Sequence, residues 1–285
     1  MAARGEWSLI ECGHCGLISL SPSPSNDELE SFYPSNYLTY RTAKSPRTNH
    51  LASLLRRAII APYSFRFGRP GMERPPFGGG RLPEVGCGAG VFLRKMCSLG
   101  WNATGIDLSP VALQAARPNA PHALLLPGTP DSLPLQGPYD LIVMQHVFEH
   151  IARPAECLAK CFDLLAHGGI LCIAIPNIDS LEARVSSRFW QGLDVPRHLL
   201  HFREAVLLNL LKRSGYEVQS TRPQLMPSTL SESILMLLPT YLRRKLIASP
   251  LAHALYLLSI LPAALSYLLG NRPVLEVCAR KPAGA

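Results

Sequence analysis

From residue 81 onward, short apolar runs alternate with stretches whose apolar positions recur every three or four residues. The runs cover 82–86, 103–106, 122–126, 141–144, 170–175 and 216–220, each the length of a buried strand. Helical patterns lie between them, for example at 90–98 and 155–165. This alternation predicts a doubly wound α/β domain, a largely parallel sheet with helices on both faces. Ligands in such sheets bind beyond the carboxyl ends of the strands. Upstream, Leu51, Leu54, Leu55, Ala58 and Ile59 sit at helical spacing and predict a short basic amphipathic helix, and the Gly/Pro-rich residues 68–80 read as a linker. Residues 1–40 hold Cys12-Gly-His-Cys15-Gly, a Ser/Pro stretch and the aromatic residues Phe32, Tyr33, Tyr37 and Tyr40. No internal repeat is visible.

Composition changes this picture little: 47% hydrophobic and 17% charged residues in a chain of 285 allow a sizeable core and argue against wholesale disorder. Charge changes it more. The net +8 is unevenly spread, with nine basic residues from Arg41 to Arg81 against the single acid Glu73. Such a segment either attracts phosphates on lipid, nucleotide or nucleic acid, or is a solvated linker face. Cys87, Cys172 and Cys278 fall inside apolar runs and read as buried small hydrophobes rather than a disulfide framework. That fits a reducing compartment. Residues 1–7 hold no apolar stretch long enough for a signal peptide, so a cytoplasmic location is expected.

The first strand runs into Glu84-Val85-Gly86-Cys87-Gly88-Ala89-Gly90 and then directly into a helix. Glycines at alternate positions let the backbone turn sharply and approach a ligand, and the turn delivers free N–H groups at a helix N-terminus. The second strand ends at Asp107, whose carboxylate is placed to accept both hydroxyl protons of a ribose. A nicotinamide-binding fingerprint needs a third glycine where Val91 stands, so the spacing favours a methyl donor over a dinucleotide.

This loop, together with Gly100-Trp101, Gly105-Ile-Asp-Leu-Ser109, Tyr139-Asp-Leu-Ile-Val-Met-Gln-His-Val-Phe-Glu-His150, Gly168-Gly169 and Ile175-Pro-Asn177, resembles the class I S-adenosylmethionine-dependent methyltransferases. The pattern is similar to the ubiquinone-biosynthesis O-methyltransferases and to bacterial enzymes acting on small molecules and glycans. The resemblance covers residues 81–220 and implies a seven-stranded Rossmann-like sheet with S-adenosylmethionine as cofactor. It implies that Glu84, Gly86 and Gly88 line the methionine end of the donor, with Cys87 and Gly90 also binding the cofactor. Asp107 then holds the ribose, Leu108 flanks the adenine, Thr129 and Pro130 border its edge, and Gln145 lies near the sulfonium. Two departures stand out: Thr129 replaces an acid, and Pro83 sits inside a central strand, where it forfeits a ladder hydrogen bond.

Methyl transfer is a direct displacement at an activated carbon, so alignment and exclusion of water matter most. A hydroxyl acceptor also needs a base, for which histidine is the usual choice. His198, in Asp194-Val-Pro-Arg-His-Leu-Leu-His201, is the first candidate and His146 the second. In the ubiquinone-type enzymes the region of Glu149 and His150 resembles a divalent-metal site. His146 here replaces an acid: either the set holds a metal, since imidazole and carboxylate suit zinc or manganese, or Glu149 and His150 hydrogen-bond neighbouring backbone and shape the pocket, and no metal ligand is assigned. No Asn/Asp-Pro-Pro-aromatic motif follows the fourth strand and no Pro-Cys pair exists, which argues against amino-group methylation of adenine or glutamine and against cytosine methylation through a cysteine.

The ends of the chain add two expectations. Cys12 and Cys15 with the following Pro/Ser and Phe/Tyr residues resemble the second knuckle of an N-terminal zinc ribbon carried by relatives. Two cysteines are half of a site, so either the true beginning is missing or the ribbon has decayed. Residues 246–270 form 25 positions without a charged side chain, directly after Arg243-Arg-Lys245. Length and flanks fit a transmembrane helix. However, residues 273–281 resemble the last strand of the methyltransferase sheet, which cannot pair from across a bilayer, and Pro250 and Pro262 interrupt the helix. The chain therefore divides into a ribbon-like remnant (1–45), a basic helix and linker (46–80), a methyltransferase domain (81–225), an apolar helical insertion (226–271) and the final strand (272–285).

The insertion is a cap, a homodimer interface or an in-plane anchor meeting anionic lipid. The expected function is methyl transfer to oxygen, with carbon second, of a small-molecule, glycan or lipid-linked acceptor. Its rivals are an RNA methyltransferase, disfavoured by the lack of an RNA-binding module, and a catalytically inactive docking module.

Overall fold

The structure, a computed structural model, describes residues 7–32, 78–129, 136–224, 227–247 and 250–284. Its strands are β1 (Ser8–Glu11), β2 (Ile18–Ser21), β3 (Gly80–Val85), β4 (Trp101–Asp107), β5 (Leu124–Pro127), β6 (Tyr139–Gln145), β7 (Leu165–Pro176), β8 (Leu200–His201), β9 (Glu217–Pro223) and β10 (Val274–Arg280). Seven of them form one sheet in the order β5-β4-β3-β6-β7-β10-β9. Pairing is parallel from β5 to β7, whereas β10 inserts antiparallel between β7 and β9. Chain order reverses direction between β3 and β6, and that switch point is where an open α/β sheet offers its crevice. The predicted sheet is therefore present; its strands run longer than the apolar runs except β5, which is one residue shorter than its run.

Central strands are apolar without alternation because both faces are covered. Leu141, Ile142, Val143 and Met144 of β6 are all wholly buried. One face packs against helices α2 (Val91–Ser98) and α3 (Pro110–Asn119), the other against α4 (Pro154–Leu164) and α6 (Glu204–Arg213). Helix α3 starts where sequence chemistry places it: Ser109 is the N-cap, accepting from the Ala112 N–H, and Pro110 occupies the first turn. On the opposite layer Tyr216 donates its hydroxyl to the Leu158 carbonyl (2.9 Å), joining α4 to the chain that enters β9.

The N-terminal hairpin is attached to this domain. β1 pairs with β2, and β2 pairs with β8. Leu20 enters the main core, and Arg203 grips Glu11 and the Gly16 carbonyl. A short helix α1 (Asn26–Ser31) follows the hairpin. The predicted helix at 49–60 and the basic residues from Arg41 to Arg74 lie outside the described residues. Arg81 is described, and its guanidinium is occupied with the carbonyls of Gln136 and Pro138 over the Tyr139 ring.

The reading of Cys172 and Cys278 as buried small hydrophobes outside any disulfide is corrected: the two form a disulfide across 106 residues. Antiparallel pairing puts Cys278 directly opposite Cys172, with Cα atoms 4.2 Å apart. Register between strands so distant in sequence is set by tertiary packing, and the cysteine spacing carries no trace of it. Cys87 does behave as expected, a buried thiol in the core. Pro83 lies opposite Thr104 in the ladder with β4 but precedes the ladder with β6, which pairs with β3 only at Glu84 and Val85.

Between β9 and β10 stand helices α7 (Pro227–Met236), α8 (Thr240–Ile247) and α9 (Pro250–Leu268), and α5 (Leu181–Ser186) packs beside α7. Among the described residues no helix is long and apolar enough to cross a membrane.

Candidate active site at the carboxyl edge of the sheet

The ends of β3, β4 and β6 meet at one edge, and each delivers a loop. After β3 the chain turns through Gly86 and Gly90, both at φ +73, before α2 begins at Val91. The turn is pinned from below, because the Ile106 carbonyl accepts from both Gly86 N (2.7 Å) and Cys87 N (3.0 Å). Packing leaves no room for side chains. A Cβ on Gly86 meets Val147 Cγ2 at 2.3 Å, and one on Gly90 meets Ala116 Cβ at 2.9 Å. Asn119 closes the loop from α3 by donating to the Ala89 carbonyl at 2.7 Å.

Asp107, at the tip of β4, orders this loop. Its Oδ2 accepts from Gly88 N and its Oδ1 from Ser109 N, each at 2.9 Å. Burial raises its carboxyl above the ordinary value, and the two N–H groups oppose that rise. Glu84, at the end of β3, is buried to 4% exposure, and its Oε2 has no hydrogen-bond partner. Burial first, then the neighbouring Asp107, push its carboxyl well above the usual range, while Gln145 bonds it from β6. A buried acceptor left open beside a glycine loop is suited to a cationic ligand group.

Of the residues expected to hold the donor, Glu84, Gly86, Gly88, Gly90, Asp107 and Gln145 therefore converge. Leu108 is exposed on the rim beside Asp107. The Cys87 thiol faces the core, which leaves only its backbone for the loop. Thr129 follows Gly128, whose N–H donates to the Asp107 carbonyl (3.2 Å). Pro130 lies outside the described residues.

The second half of the site begins where β6 ends. His146 adopts φ +54, a left-handed conformation costly for a residue with a Cβ, and is held there by its N–H on the Ala174 carbonyl (2.8 Å). A single 3₁₀ turn (Phe148–His150) follows, anchored by Phe148 stacked on Phe202 at 5.5 Å. That turn buries Glu149 to 1% exposure with neither carboxylate oxygen hydrogen-bonded. Imidazoles surround it: His146 Nδ1 lies 3.6 Å and His198 Nε2 3.9 Å from its Oε1. The His150 ring stands edge-on to His198, centroids 4.8 Å apart.

The loop 187–201 supplies the other wall. Two 3₁₀ turns (Ser187–Phe189 and Gln191–Leu193) lead to Asp194, at φ +35, which is ion-paired to Arg197. The carbonyls of this loop orient the histidines. His198 Nδ1 bonds the Gly192 carbonyl (2.8 Å), His150 Nδ1 that of Arg197 (2.8 Å), and His201 Nε2 that of Leu193 (3.1 Å). With its Nδ1–H donated to Gly192, a neutral His198 directs the Nε2 lone pair toward Glu149 and toward Asp194 Oδ2, 3.8 Å away.

Burial lowers the His198 imidazole to about 4, the nearby His150 adding to the effect, so it is neutral at pH 7. Burial works against ionisation of Glu149, but His146, His198 and His150 outweigh it and hold its carboxyl down at about 2. The pair therefore consists of a neutral His198 and an ionised Glu149. Such a carboxylate demands a cation, either a proton shared with an imidazole or a metal ion. One ligand atom each from Glu149, His150 and His198 lie within 4.8 Å of one another, and imidazole with carboxylate suits zinc or manganese. The residues present therefore fit a divalent ion.

Both candidate bases, His198 and His146, thus border one carboxylate. Asp194 was missed as a member of the site, although it carries a usable signal, an acid four residues before a histidine.

Comparison with known proteins places these features in a family. A family model described as a methyltransferase domain matches residues 51–221, more than half of the chain. The ubiquinone biosynthesis O-methyltransferase of Caulobacter sp. (strain K31) is 37% identical over 118 residues, 39% of this chain and 47% of that protein. A probable S-adenosylmethionine-dependent methyltransferase of Mycolicibacterium smegmatis is 30% identical over 142 residues, 48% and 52% of the two chains. The chain thus spans about half the length of the curated relatives it matches. A crystal structure of an S-adenosylmethionine dependent methyltransferase from Mesorhizobium loti superposes with TM-score 0.52 at 20% identity, covering 79% of this chain and 99% of that one. At that identity the likeness shows the fold.

Proposed function

The chain belongs to the methyltransferase-domain family, and from that premise we propose that it transfers the methyl group of S-adenosylmethionine to a hydroxyl oxygen of a small molecule, a glycan or a lipid precursor. The observation that carries this reading is the buried Glu149, ionised and without hydrogen bonds, facing His198 at the edge where the glycine loop ends. Glu84 takes the ammonium of the donor's methionine moiety, and Asp107 takes its ribose hydroxyls. Both are open or readily shared acceptors at the right edge of the sheet.

In the reaction the acceptor's O–H proton passes to His198 Nε2, and the oxygen bonds the methyl carbon. The carbon–sulfur bond breaks with its electron pair going to sulfur, leaving the neutral thioether S-adenosylhomocysteine. The imidazolium formed is stabilised by Glu149 and Asp194, which is the arrangement that lets a weakly basic histidine act. A second reading, favoured by the Glu149, His150 and His198 triad, has those residues hold a divalent ion, which supplies Lewis acidity toward the acceptor hydroxyl.

The test is product formation, S-adenosylhomocysteine released with a panel of phenols, glycans and polyprenyl lipids, in wild type and His198→Gln. General-base loss predicts a fall of about 10²–10⁴-fold in kcat with donor affinity unchanged. Equal turnover by the variant refutes the role of His198. Donor binding that is absent from a folded wild type favours the docking module. Loss of activity on chelation, restored by zinc or manganese, selects the metal reading.

A further inference from the structure

Helix α9 (Pro250–Leu268) has two faces of different fate. Ser259, Ile260, Ala263, Ala264 and Tyr267 are buried against the domain, with the Tyr267 hydroxyl donating to the Gln224 carbonyl. Leu251, Leu258, Leu261, Leu265 and Leu268 are exposed, Leu258 to 72% and Leu261 to 67%. Their spacing of seven, three, four and three residues puts all five on one side of the helix. A stripe of bare leucines of this length on a surface marks an interface.

Charge selects the occupant. Residues 233–275 contain no aspartate or glutamate, while Arg243, Arg244, Lys245 and Arg272 lie among them. Arg272 is engaged with Glu204, and within residues 226–271 the basic triplet of α8 (Thr240–Ile247) is set against the single acid Glu232. A second copy of this chain brings an equally basic insertion to the contact, whereas an anionic bilayer supplies both the apolar layer and the countercharge. Spanning is excluded by topology, because β10 begins at Val274 and lies between β7 and β9.

The insertion also backs the candidate active site. Ser233 of α7 (Pro227–Met236) accepts from Gln191 N at 3.1 Å, in the 3₁₀ turn whose carbonyls hold His198 and His201. Glu232 of the same helix feels the charge of Asp194. A surface that beds α9 therefore lies one helix layer behind the loop that faces the acceptor.

We propose that the leucine face of α9 lies in the plane of an anionic membrane and that the acceptor is drawn from that lipid phase. The docking half stands alone; the acceptor half rests on the methyl-transfer reading above.

The experiment is co-sedimentation of the full chain with vesicles of phosphatidylcholine containing 30% phosphatidylglycerol, against pure phosphatidylcholine vesicles. Wild type is expected to pellet with the anionic vesicles, at least tenfold more weakly with the neutral ones, and less at high salt. The doubly substituted Leu258→Ser/Leu261→Ser protein is expected to lose at least tenfold of the anionic binding. Both leucines are exposed, so its melting temperature and its donor affinity by calorimetry should match wild type, which keeps failure of docking separate from failure of donor binding. No pelleting of wild type, or equal pelleting with both vesicles, overturns the proposal. So does a dimer in sedimentation velocity that the double substitution dissolves, since the face then belongs to a second copy.

Discussion

Substituting Asp107 with alanine removes two kinds of interaction, and their sizes can be separated. In the free protein the carboxylate accepts from Gly88 N and Ser109 N, each at 2.9 Å. Losing them costs the fold about 1–2 kcal/mol, because the site is open enough for water to replace part of each bond. With donor bound, the same oxygens accept from two ribose hydroxyls, charge-assisted bonds of about 1.5–3 kcal/mol each. Together they are worth about 3–6 kcal/mol, or roughly 10²–10⁴-fold in dissociation constant. Asp107→Asn keeps one oxygen acceptor and is expected to fall between wild type and alanine. Isothermal titration with S-adenosylmethionine and S-adenosylhomocysteine reads all three proteins, with thermal melts as the control for folding. If Asp107→Ala binds within threefold of wild type, the carboxylate is not the ribose acceptor, and the placement of the whole donor site is wrong.

Three further outcomes follow from the same structure. The Glu84 carboxyl is raised well above 4.5 by burial and by Asp107; stability from this group is therefore full at pH below about 4.5 and declines as pH rises toward the folded value. The donor's ammonium reverses that penalty, so binding at mildly acidic pH should release a proton, seen as a dependence of binding enthalpy on buffer ionisation. Glu84→Gln should abolish the release, and a wild type that releases none would sink the assignment. Gly86→Ala pushes a Cβ to 2.3 Å from Val147 Cγ2 at φ +73, so it should lose about 1–3 kcal/mol and partly recover in combination with Val147→Ala. An unchanged melting temperature for the single variant contradicts this. Reducing the Cys172–Cys278 bridge frees a loop of 106 residues, for which chain entropy allows up to about 4–5 kcal/mol. Dithiothreitol should lower the urea midpoint of wild type and leave Cys278→Ser unmoved, and equal midpoints with and without reductant refute it.

Local chemistry was legible in the residues themselves. The turn from β3 into α2 needs glycines at set positions, helix α3 needs a serine cap, and strands buried on both faces need uninterrupted apolar runs. Each of these demands acts over a few residues, so the sheet, the glycine loop and Asp107 could be read before any coordinates. The histidine clusters could be found and ordered as candidates but not brought together, because 146–150 and 194–201 lie far apart in sequence. Only folding brings Glu149 beneath His198 and withdraws water from both, and burial is what makes one a carboxylate without hydrogen bonds and the other a neutral imidazole. The same limit hid the bridge between Cys172 and Cys278, which depends on the register of β10 against β7. It also hid which leucines of α9 face outward, because helical spacing defines a stripe whereas its exposure depends on what the rest of the chain covers. Steric and hydrogen-bonding rules of short range made the elements and the glycine loop readable from the residues alone. The tertiary structure decided register, burial and therefore charge, because those depend on contacts between segments a hundred residues apart.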